Sequence, residues 1–448
     1  MTYIPHTSEE TKSMLETIGV SRLEDLFKDI EPKLRARSFN IPEAKSEFEV
    51  TEYFKKLSAK NAVHLTNFVG AGFYDHYIPA AVDALTERSE FYTAYTPYQP
   101  ECSQGWLQAI FEYQTAMCEL LGLDVANASL YDGGTALFEA VMMAVRITGR
   151  KKIIVDSGVN PIYQAMLKTH ALNLPIELVE TPAICGPVSR RAIYKLLDDK
   201  TAGVVLQNPN FFGAVDDHSD IVKKAQGLGA LAIQSVYPLA LGILKSPGEM
   251  GVDIATGEGQ SLGIPLCFGG PYLGFMAVKK KYIRKMPGRI VGATSDKDGK
   301  TGFVLTLQVR EQHIRREKAT SNICSNESLC ALKAVIYLSL LGKKGLKEIA
   351  ELNYQNSEFS KTLFTNIRGV EIENAFPTFN EFVLRLPVNA NEVVNKMADE
   401  GFAAGLPLGR FYKTMDNYLL VAITEKRTKE EIVRFAKGLE AILAKIVV

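Results

Sequence analysis

Several features are scarce in this 448-residue sequence, and their scarcity narrows the possible classes of protein. The six cysteines include no CxxC pair, so we expect neither a zinc site nor a disulfide framework. Lys and Arg together number 51, as do Asp and Glu, so nothing points to a nucleic acid or an anionic membrane as partner. Histidines with metal-ligand spacing are also lacking, so we expect no metal site.

Segments that would direct the chain into or across a membrane are not apparent either. No run of about 18 apolar residues occurs, and residues 1–6 have neither the basic nor the apolar part of an export signal. We therefore expect a cytoplasmic protein whose partners are small molecules or other proteins.

The length predicts two or three packed units, at roughly 100–200 residues per domain. We expect an N-terminal helical arm over residues 1–90, a large α/β domain over 91–325 and a smaller α+β domain over 326–448. Apolar bursts alternate with helical text in the middle segment, which is typical of a mostly parallel sheet covered on both faces. The predicted buried strands are 152–155, 176–179, 203–206, 231–233 and 275–278.

Local composition also predicts the rest of the chain. Residues 280–302 are rich in Lys, Gly and Asp, which indicates an exposed loop. After them, the pattern predicts helix 326–341, strand 381–384, helix 390–400, strand 418–421 and helix 429–445.

Two glycine-rich stretches could carry chemistry. Gly133, Gly134 and Thr135 precede a helical pattern, and free N–H groups at a helix N-terminus can hold a phosphate. On this motif alone, an ordinary helix cap with glycine for close packing is the more common explanation. The second stretch, 257–263, is misspaced for a dinucleotide fingerprint, and we reject that interpretation.

Two further stretches stand out by composition. Residues 91–101 place three tyrosines and two prolines before a helix that Ser103 can cap, and so rigid an aromatic loop suits a site, an interface or the edge of a core. Residues 310–318 form a charge run, which usually lies on a solvated helix face.

The motifs YTAYTPYQPE (92–101), ANASLYDGGTA (126–136), FGGPY (268–272) and REQHIRREKATSNIC (310–324), and more weakly FNEF (379–382), carry a resemblance. Together they resemble the amino-terminal half of the P-protein family of the glycine cleavage system. The resemblance covers nearly the whole chain. It implies the aspartate-aminotransferase-like (type I) fold of pyridoxal-phosphate enzymes, in the form where the two halves of the protein are separate subunits.

The resemblance also implies that this half lacks the cofactor-holding residues. Gln260 stands where the family's other half has the Schiff-base lysine, and an amide is not a nucleophile for an aldehyde. Gln234 replaces the aspartate expected at the pyridinium nitrogen, and Ser157 the histidine expected over the ring. Gly133, Gly134 and Thr135 would then be a vestigial phosphate loop.

The resemblance further implies that glycine is decarboxylated with pyridoxal phosphate held by subunit 2, and that the aminomethyl group passes to the lipoyl H-protein. This chain would line the shared site. The candidate lining residues are Tyr95, Thr96, Tyr98, Gln99 and Glu101, with Ser103 supporting the loop. Two alternatives stay open: a free-standing pyridoxal enzyme that uses Lys245 or Lys279, and a non-catalytic scaffold.

Overall fold

The structure is a computed structural model that describes residues 6–36, 38, 40–267, 269–373 and 376–446. Residues 1–5 of the predicted arm, Phe268 of the FGGPY motif and residues 447–448 of the predicted small domain lie outside the described residues. The chain divides into two compact units, Met1–Val63 and His64–Val448. The predicted boundaries after residues 90 and 325 stay predictions.

The first unit consists of short helices. Its elements are α1 (Ser8–Ile18), 3-10 turns at Leu23–Phe27 and Pro32–Leu34, and α2 (Glu47–Ser58). Thr7 and Ser46 cap the two α-helices, and each shares a capping box with the glutamate three residues on. Neither helix has a buried residue.

The second unit contains the remaining helices and strands. Its helices are α3 (Ala80–Thr86), α4 (Ser89–Tyr92), α5 (Gln104–Leu121), α6 (Gly133–Thr148), α7 (Pro161–Ala171), α8 (Arg190–Leu196), α9 (Ser219–Gly227), α10 (Gln312–Arg315), α11 (Ser328–Phe364), α12 (Ala390–Asp399) and α13 (Lys429–Ile446). Its strands are β1 (Thr66–Asn67), β2 (Val125–Ala126), β3 (Lys152–Val155), β4 (Glu177–Glu180), β5 (Thr201–Asn208), β6 (Leu231–Val236), β7 (Ile254–Glu258), β8 (Gly274–Val278), β9 (Ile290–Ser295), β10 (Thr301–Thr306), β11 (Glu371–Ile372), β12 (Glu381–Arg385), β13 (Phe402–Ala403), β14 (Leu406–Pro407) and β15 (Tyr418–Ala422). None of the described helices has the length and apolar character needed to cross a membrane.

Seven strands form the main sheet, in the order β2-β8-β7-β6-β5-β3-β4. The five strands from β7 to β4 run parallel; β8 runs in the opposite direction beside β7, and β2 pairs antiparallel with β8 at the sheet edge. Side chains of α6 and α7 pack on one face, while α5, α8, α9 and α11 cover the other. Strand side chains alternate between the faces, so Ile153 and Ile154 enter different cores. The doubly covered sheet explains why the strands are continuous apolar bursts in the sequence.

A smaller antiparallel sheet has the order β11-β12-β15-β14 and packs against α12 and α13. Phe68, next to β1, contributes to the same core: its ring stacks on Phe435 with centroids 4.3 Å apart. β1 pairs with β13 in a separate two-stranded sheet, and the carbonyl of Phe68 accepts from the N–H of Ala422 in β15 at 2.9 Å, which fixes this segment to the small sheet.

The structure corrects four predictions about local elements. Residues 280–302 are not a loop: a 3-10 turn at Lys280–Lys285 leads into the hairpin β9–β10, and Ile290 and Val291 are buried. The strand β7 was not predicted, because its glycine and terminal glutamate obscured the apolar pattern. Strand β4 lies at the sheet edge and is half-exposed rather than buried. The helix predicted over 326–341 continues to residue 364 with a break at Gly342.

Candidate functional site

The carboxyl ends of the parallel strands lie together at one end of the main sheet. In open α/β sheets this is where ligands bind. A cavity of only about 30 Å³ remains there. Its lining includes Asn160, Tyr163, Ser235, Tyr237, Glu258 and Glu381.

The N-terminus of α6 carries the predicted phosphate loop, and side chains of the protein occupy its donors. The N–H of Gly133 donates to Glu258 Oε2 at 2.9 Å, and the N–H of Thr135 donates to the capping carboxylate of Asp132 at 2.7 Å. A Cβ at position 133 would lie 2.5 Å from the hydroxyl of Tyr163, so the site requires glycine for space. A carboxylate therefore lies where an anionic ligand of this helix would bind.

Glu258 is held by two further backbone groups. Its Oε1 accepts from the N–H groups of Leu273 and Gln260, each at 3.0 Å. The carboxylate thus connects α6 with the segments on both sides of the glycine-rich turn that follows β7. Burial raises the pKa of Glu258 to about 7, although these N–H donors oppose the shift.

Gln260 is buried, and its whole amide is engaged. Its Nε2 donates to the carbonyls of Tyr74 and Ile264 at 3.0 and 2.8 Å, and its Oε1 accepts from the N–H of Tyr74 at 2.9 Å. Because a primary amide has both a donor and an acceptor, it can pair with both backbone groups of Tyr74. A lysine ammonium could only donate.

The segment around Tyr74 fills the space beside Gln260. The carboxylate of Glu381, at the start of β12, accepts from the N–H of Ala71 at 2.6 Å and from the hydroxyl of Tyr74 at 2.9 Å. The ring of Tyr74 lies 4.5 Å from that of Tyr237, between centroids. Burial raises the pKa of Glu381 to about 7, against the effect of these two hydrogen bonds. A second carboxylate therefore fixes residues 71–74 inside the site.

A histidine extends this network behind Tyr237. His76 contacts the hydroxyl of Tyr237 through Nε2 and Glu425 Oε2 through Nδ1, the latter at 2.7 Å. Burial alone would raise the pKa of Glu425, but the hydrogen bond and charge of His76 hold it at about 2. The aromatic filling of the site is thus anchored to the small domain's last strand and the residues after it.

The other two predicted cofactor positions do not line the cavity. The hydroxyl of Ser157 donates to the carbonyl of Pro182 at 2.9 Å, and Ser157 is not among the residues that line the cavity. Gln234 is buried, and its amide finds no partner among the described residues. Its neighbour Ser235 lines the cavity instead, because successive strand residues point to opposite faces.

These side chains do not fit pyridoxal phosphate. A cavity of about 30 Å³ has room for roughly two water molecules, each of which needs about 10–15 Å³ by this measure. Glu258 occupies the anion position at α6, and a phosphate there would face a carboxylate. Gln260 offers no amine, and the cavity lining described by the structure contains no lysine.

The two lysines of the free-standing alternative also lie elsewhere. Lys279 follows β8 and pairs with Asp253, which precedes β7, so it lies at the opposite edge of the sheet. Lys245 pairs with Asp217 at 3.0 Å and also contacts Ser219. Both ammonium groups have polar partners away from the cavity.

The tyrosine loop, residues 92–101, lies on the surface. Tyr95 is 77% exposed and Tyr98 47%, and Thr96 is half-buried. Gln99 and Glu101 are exposed as well. The loop's aromatic rings are therefore available for contact instead of forming a core.

Ser103 is at the N-cap position of α5, but its hydroxyl makes no capping hydrogen bond. The following residue supports the loop instead. The Gln104 amide donates to the carbonyls of Pro100 and Phe303 and accepts from the N–H of Phe303, so it joins the loop's end to β10.

The charge run at 310–318 is exposed from His313 to Lys318 but buried at its start. Arg310 is buried, and its guanidinium donates to backbone carbonyls of Leu307, Met286 and Gly288. Only the short α10 and a 3-10 turn at Arg316–Lys318 are helical. The prediction therefore fails at Arg310, which satisfies backbone carbonyls around β9 in a way that a charge count does not reveal, and holds for the exposed residues 313–318.

Three residues of the site were missed by sequence reasoning: Tyr74, Glu258 and Glu381. Glu381 alone among them carries a usable signal, because its charge begins a predicted apolar strand. Charges in such positions are rarely buried without a specific partner. Tyr74 has no comparable signal.

The buried carboxylate of Glu381 predicts a dependence of stability on pH. Between its ordinary pKa of 4.5 and its folded value of about 7, the folded chain holds a proton that the unfolded chain has released. Stability should therefore fall as the pH rises through this window, by about 1–3 kcal/mol at 1.4 kcal/mol per pKa unit. Glu381→Gln keeps an acceptor for Ala71 and should reduce this slope, measured by denaturant unfolding at pH 5.5 and 7.5. The same slope in wild type and variant would contradict the assignment.

Comparisons with known proteins agree along the whole chain. The profile of the Glycine cleavage system P-protein family matches residues 1–439. Probable glycine dehydrogenase (decarboxylating) subunit 1 of Geotalea uraniireducens is 56% identical over 443 residues, which are 99% of this chain and 100% of that protein. The protein of the same name from Maridesulfovibrio salexigens is 54% identical, with the same coverage.

Solved structures confirm the predicted fold class. The crystal structure of glycine decarboxylase (P-protein) of the glycine cleavage system, in inhibitor-bound form, superposes with a TM-score of 0.91 at 42% identity and covers 99% of this chain and 100% of that chain. Sphingosine-1-phosphate lyase of Burkholderia pseudomallei gives a TM-score of 0.67 at 13% identity, covers 93% of this chain and 95% of that chain, and supports the fold alone. The fold is that of type I pyridoxal-phosphate enzymes. Since the profile and the relatives span nearly the entire chain, this chain belongs to the glycine cleavage system P-protein family.

Proposed function

We propose that this chain is the first subunit of a two-subunit glycine dehydrogenase (decarboxylating). With subunit 2 it decarboxylates glycine and passes the aminomethyl group to the lipoyl H-protein. The observation that carries the proposal is the closed site: Gln260 is tied to Tyr74 in a chain that matches subunit 1 relatives end to end.

Pyridoxal phosphate belongs to the partner subunit in this proposal. When bound there, the cofactor supplies the electron sink that decarboxylation of an amino acid needs. Support comes from Glu258 at the N-terminus of α6 and from the small residual cavity, since neither leaves room for the cofactor here. This chain alone is then inactive.

The contribution of this chain is to bind, orient and exclude water. We place the tyrosine loop against the partner's cofactor site, with Tyr95, Thr96, Tyr98, Gln99 and Glu101 as lining residues. The support is its exposure: rigid aromatic rings with a polar hydroxyl at one end cost little conformational entropy when they close a site. Ser103 supports the loop only through its backbone, at the start of α5.

Gly133, Gly134 and Thr135 are a vestigial phosphate loop in this view. The loop's shape is kept, and a carboxylate takes the place of the phosphate. Gln234 and Ser157 belong to the same loss of cofactor contacts, with Ser235 rather than Gln234 nearest the cavity. We also propose a cytoplasmic location; its support is the sequence, whose six cysteines show no CxxC pair or disulfide framework.

A scaffold without any part in the site is the second candidate, and mixing experiments separate the two. Glycine–bicarbonate exchange is measured for each subunit alone and for the mixture. We expect exchange only in the mixture. Equal exchange by subunit 2 alone would favour the scaffold, and exchange by this chain alone would favour a free-standing enzyme.

Restoring the lysine should not restore cofactor binding. In Gln260→Lys, the cavity stays small and Glu258 still faces the anion position, so added pyridoxal phosphate should leave no borohydride-stable adduct on the chain. The measurement is the mass of the intact chain after reduction, with Gln207→Lys, at the cavity wall, as a matched variant. A stoichiometric adduct at residue 260 would show that the site is not closed.

The hydroxyls of the tyrosine loop should matter to turnover. Tyr95→Phe and Tyr98→Phe each remove one hydroxyl without changing ring volume, and we expect a loss of roughly tenfold in the exchange rate of the mixture, the value of one good hydrogen bond. Tyr354→Phe on α11, also an exposed tyrosine, is the control and should leave the rate unchanged. Unchanged rates in both loop variants would exclude the loop from the site.

A further inference from the structure

Arg289 lies just before β9, and its side chain is 5% exposed. Its guanidinium contacts two separate segments. Nη2 lies 3.2 Å from the hydroxyl of Tyr98 in the tyrosine loop and 2.6 Å from the carbonyl of Cys324. Nη1 reaches Ser325 Oγ at 3.3 Å and Asn326 Oδ1 at 3.1 Å. One planar group therefore joins the tyrosine loop to residues 324–326.

The charge run supplies the counter-charge. Glu311 Oε2 lies 4.0 Å from the Nε of Arg289, and both side chains are nearly buried. His313 follows, with its ring centroid 5.7 Å from that of Tyr98. The guanidinium also lies over the ring of Tyr98, 5.5 Å from its centroid. Two of the motifs that carry the family resemblance thus meet at Arg289.

The same contacts connect the loop with the closed site. Asn326 Nδ2 donates to the carbonyl of Ala128 at 3.0 Å, and the N–H of Glu327 donates to Ser129 Oγ at 3.0 Å. The hydroxyl of Tyr131 accepts from the N–H of Cys324 at 3.3 Å. Residues 128–131 lead directly into α6. Through Arg289 and residues 324–327, the tyrosine loop is therefore connected by hydrogen bonds to the residues that lead into α6.

We propose that Arg289 is a positioning residue for the shared site: it holds the tyrosine loop in the position and orientation that this chain presents to subunit 2. The inference rests on the proposed function. Arginine suits this task because its fixed fork of donors reaches both segments at once, while a lysine ammonium is a single point of contact. Removing the guanidinium also leaves Glu311 buried without its cation, so the loop loses its anchor on two sides.

The proposal is tested with Arg289→Lys and Arg289→Gln in the assembled two-subunit complex. Two quantities are measured: amide hydrogen exchange over residues 93–99, and kcat and KM of glycine–bicarbonate exchange. We expect amide exchange in the loop to accelerate at least tenfold and kcat/KM to fall tenfold or more, with Arg289→Lys closer to Arg289→Gln than to wild type. The two subunits should still co-purify.

Arg190→Lys is the matched control. Arg190 also makes several hydrogen bonds, to the carboxylates of Asp216 and Asp220 and to the carbonyl of Asp217, and none of the contacts that the structure gives it reaches the tyrosine loop. It should change neither the loop's amide exchange nor the kinetic constants. If Arg289 has only a structural role, Arg289→Lys and Arg289→Gln should both lower the melting temperature and leave the kinetic constants of the assembled complex unchanged. That result would overturn the proposal.

The loop measurement separates this inference from the proposed function. If the wild-type mixture is inactive, the proposed function fails, while amide exchange in the Arg289 variants still reports whether the guanidinium holds the loop. If the wild-type mixture is active and Arg289→Lys matches it in both rate and loop exchange, the proposed function stands and the positioning role is wrong.

Discussion

The structure depends most on the carboxylate of Glu258 at the N-terminus of α6. A helix start exposes unpaired N–H groups and partial positive charge, and in this fold that position faces the carboxyl edge of the sheet. Glu258 satisfies the N–H of Gly133 and, with its other oxygen, those of Gln260 and Leu273. An internal carboxyl group therefore accepts the hydrogen bonds that an anionic ligand would otherwise accept, and it holds the turn carrying Gln260 in place.

From this contact the rest of the site follows outward. Gln260 pairs with both backbone groups of Tyr74, Glu381 fixes the hydroxyl of that tyrosine, and Tyr237 and His76 pack behind it. A buried polar network of this kind is stable only when nearly all its members are satisfied, so its parts would have to be lost or kept together. This network also connects to the surface. Hydrogen bonds between residues 128–131 and 324–327 link the start of α6 with Arg289, which in turn contacts the tyrosine loop.

Much of the fold could be predicted from the sequence because its strands are buried on both faces and interrupted by amphipathic helices. Strands β3, β5, β6 and β8, and the helices α12 and α13, appear close to where the apolar pattern places them. The hairpin β9–β10 and strand β7 could not be predicted, because Gly292 and Gly302 interrupt the hairpin strands, charged residues fill the turn at 296–300, and β7 ends in Gly257 and Glu258. Residue identity pointed to Gln260, but its pairing with Tyr74, 186 positions away, depends on the folded chain. Gln234 and Ser235 show the same limit: a shift of one residue decides which side chain meets the cavity, and only strand direction settles it.

In the proposed function, this chain is the half of a shared site that has closed its own cofactor position and offers a surface to its partner. The most direct test is to reduce the assembled two-subunit complex with borohydride in the presence of pyridoxal phosphate and to locate the pyridoxyl group by peptide mass spectrometry. The account predicts the label on a lysine of subunit 2 and none on this chain. A pyridoxyl group on any lysine of this chain at comparable yield would contradict it.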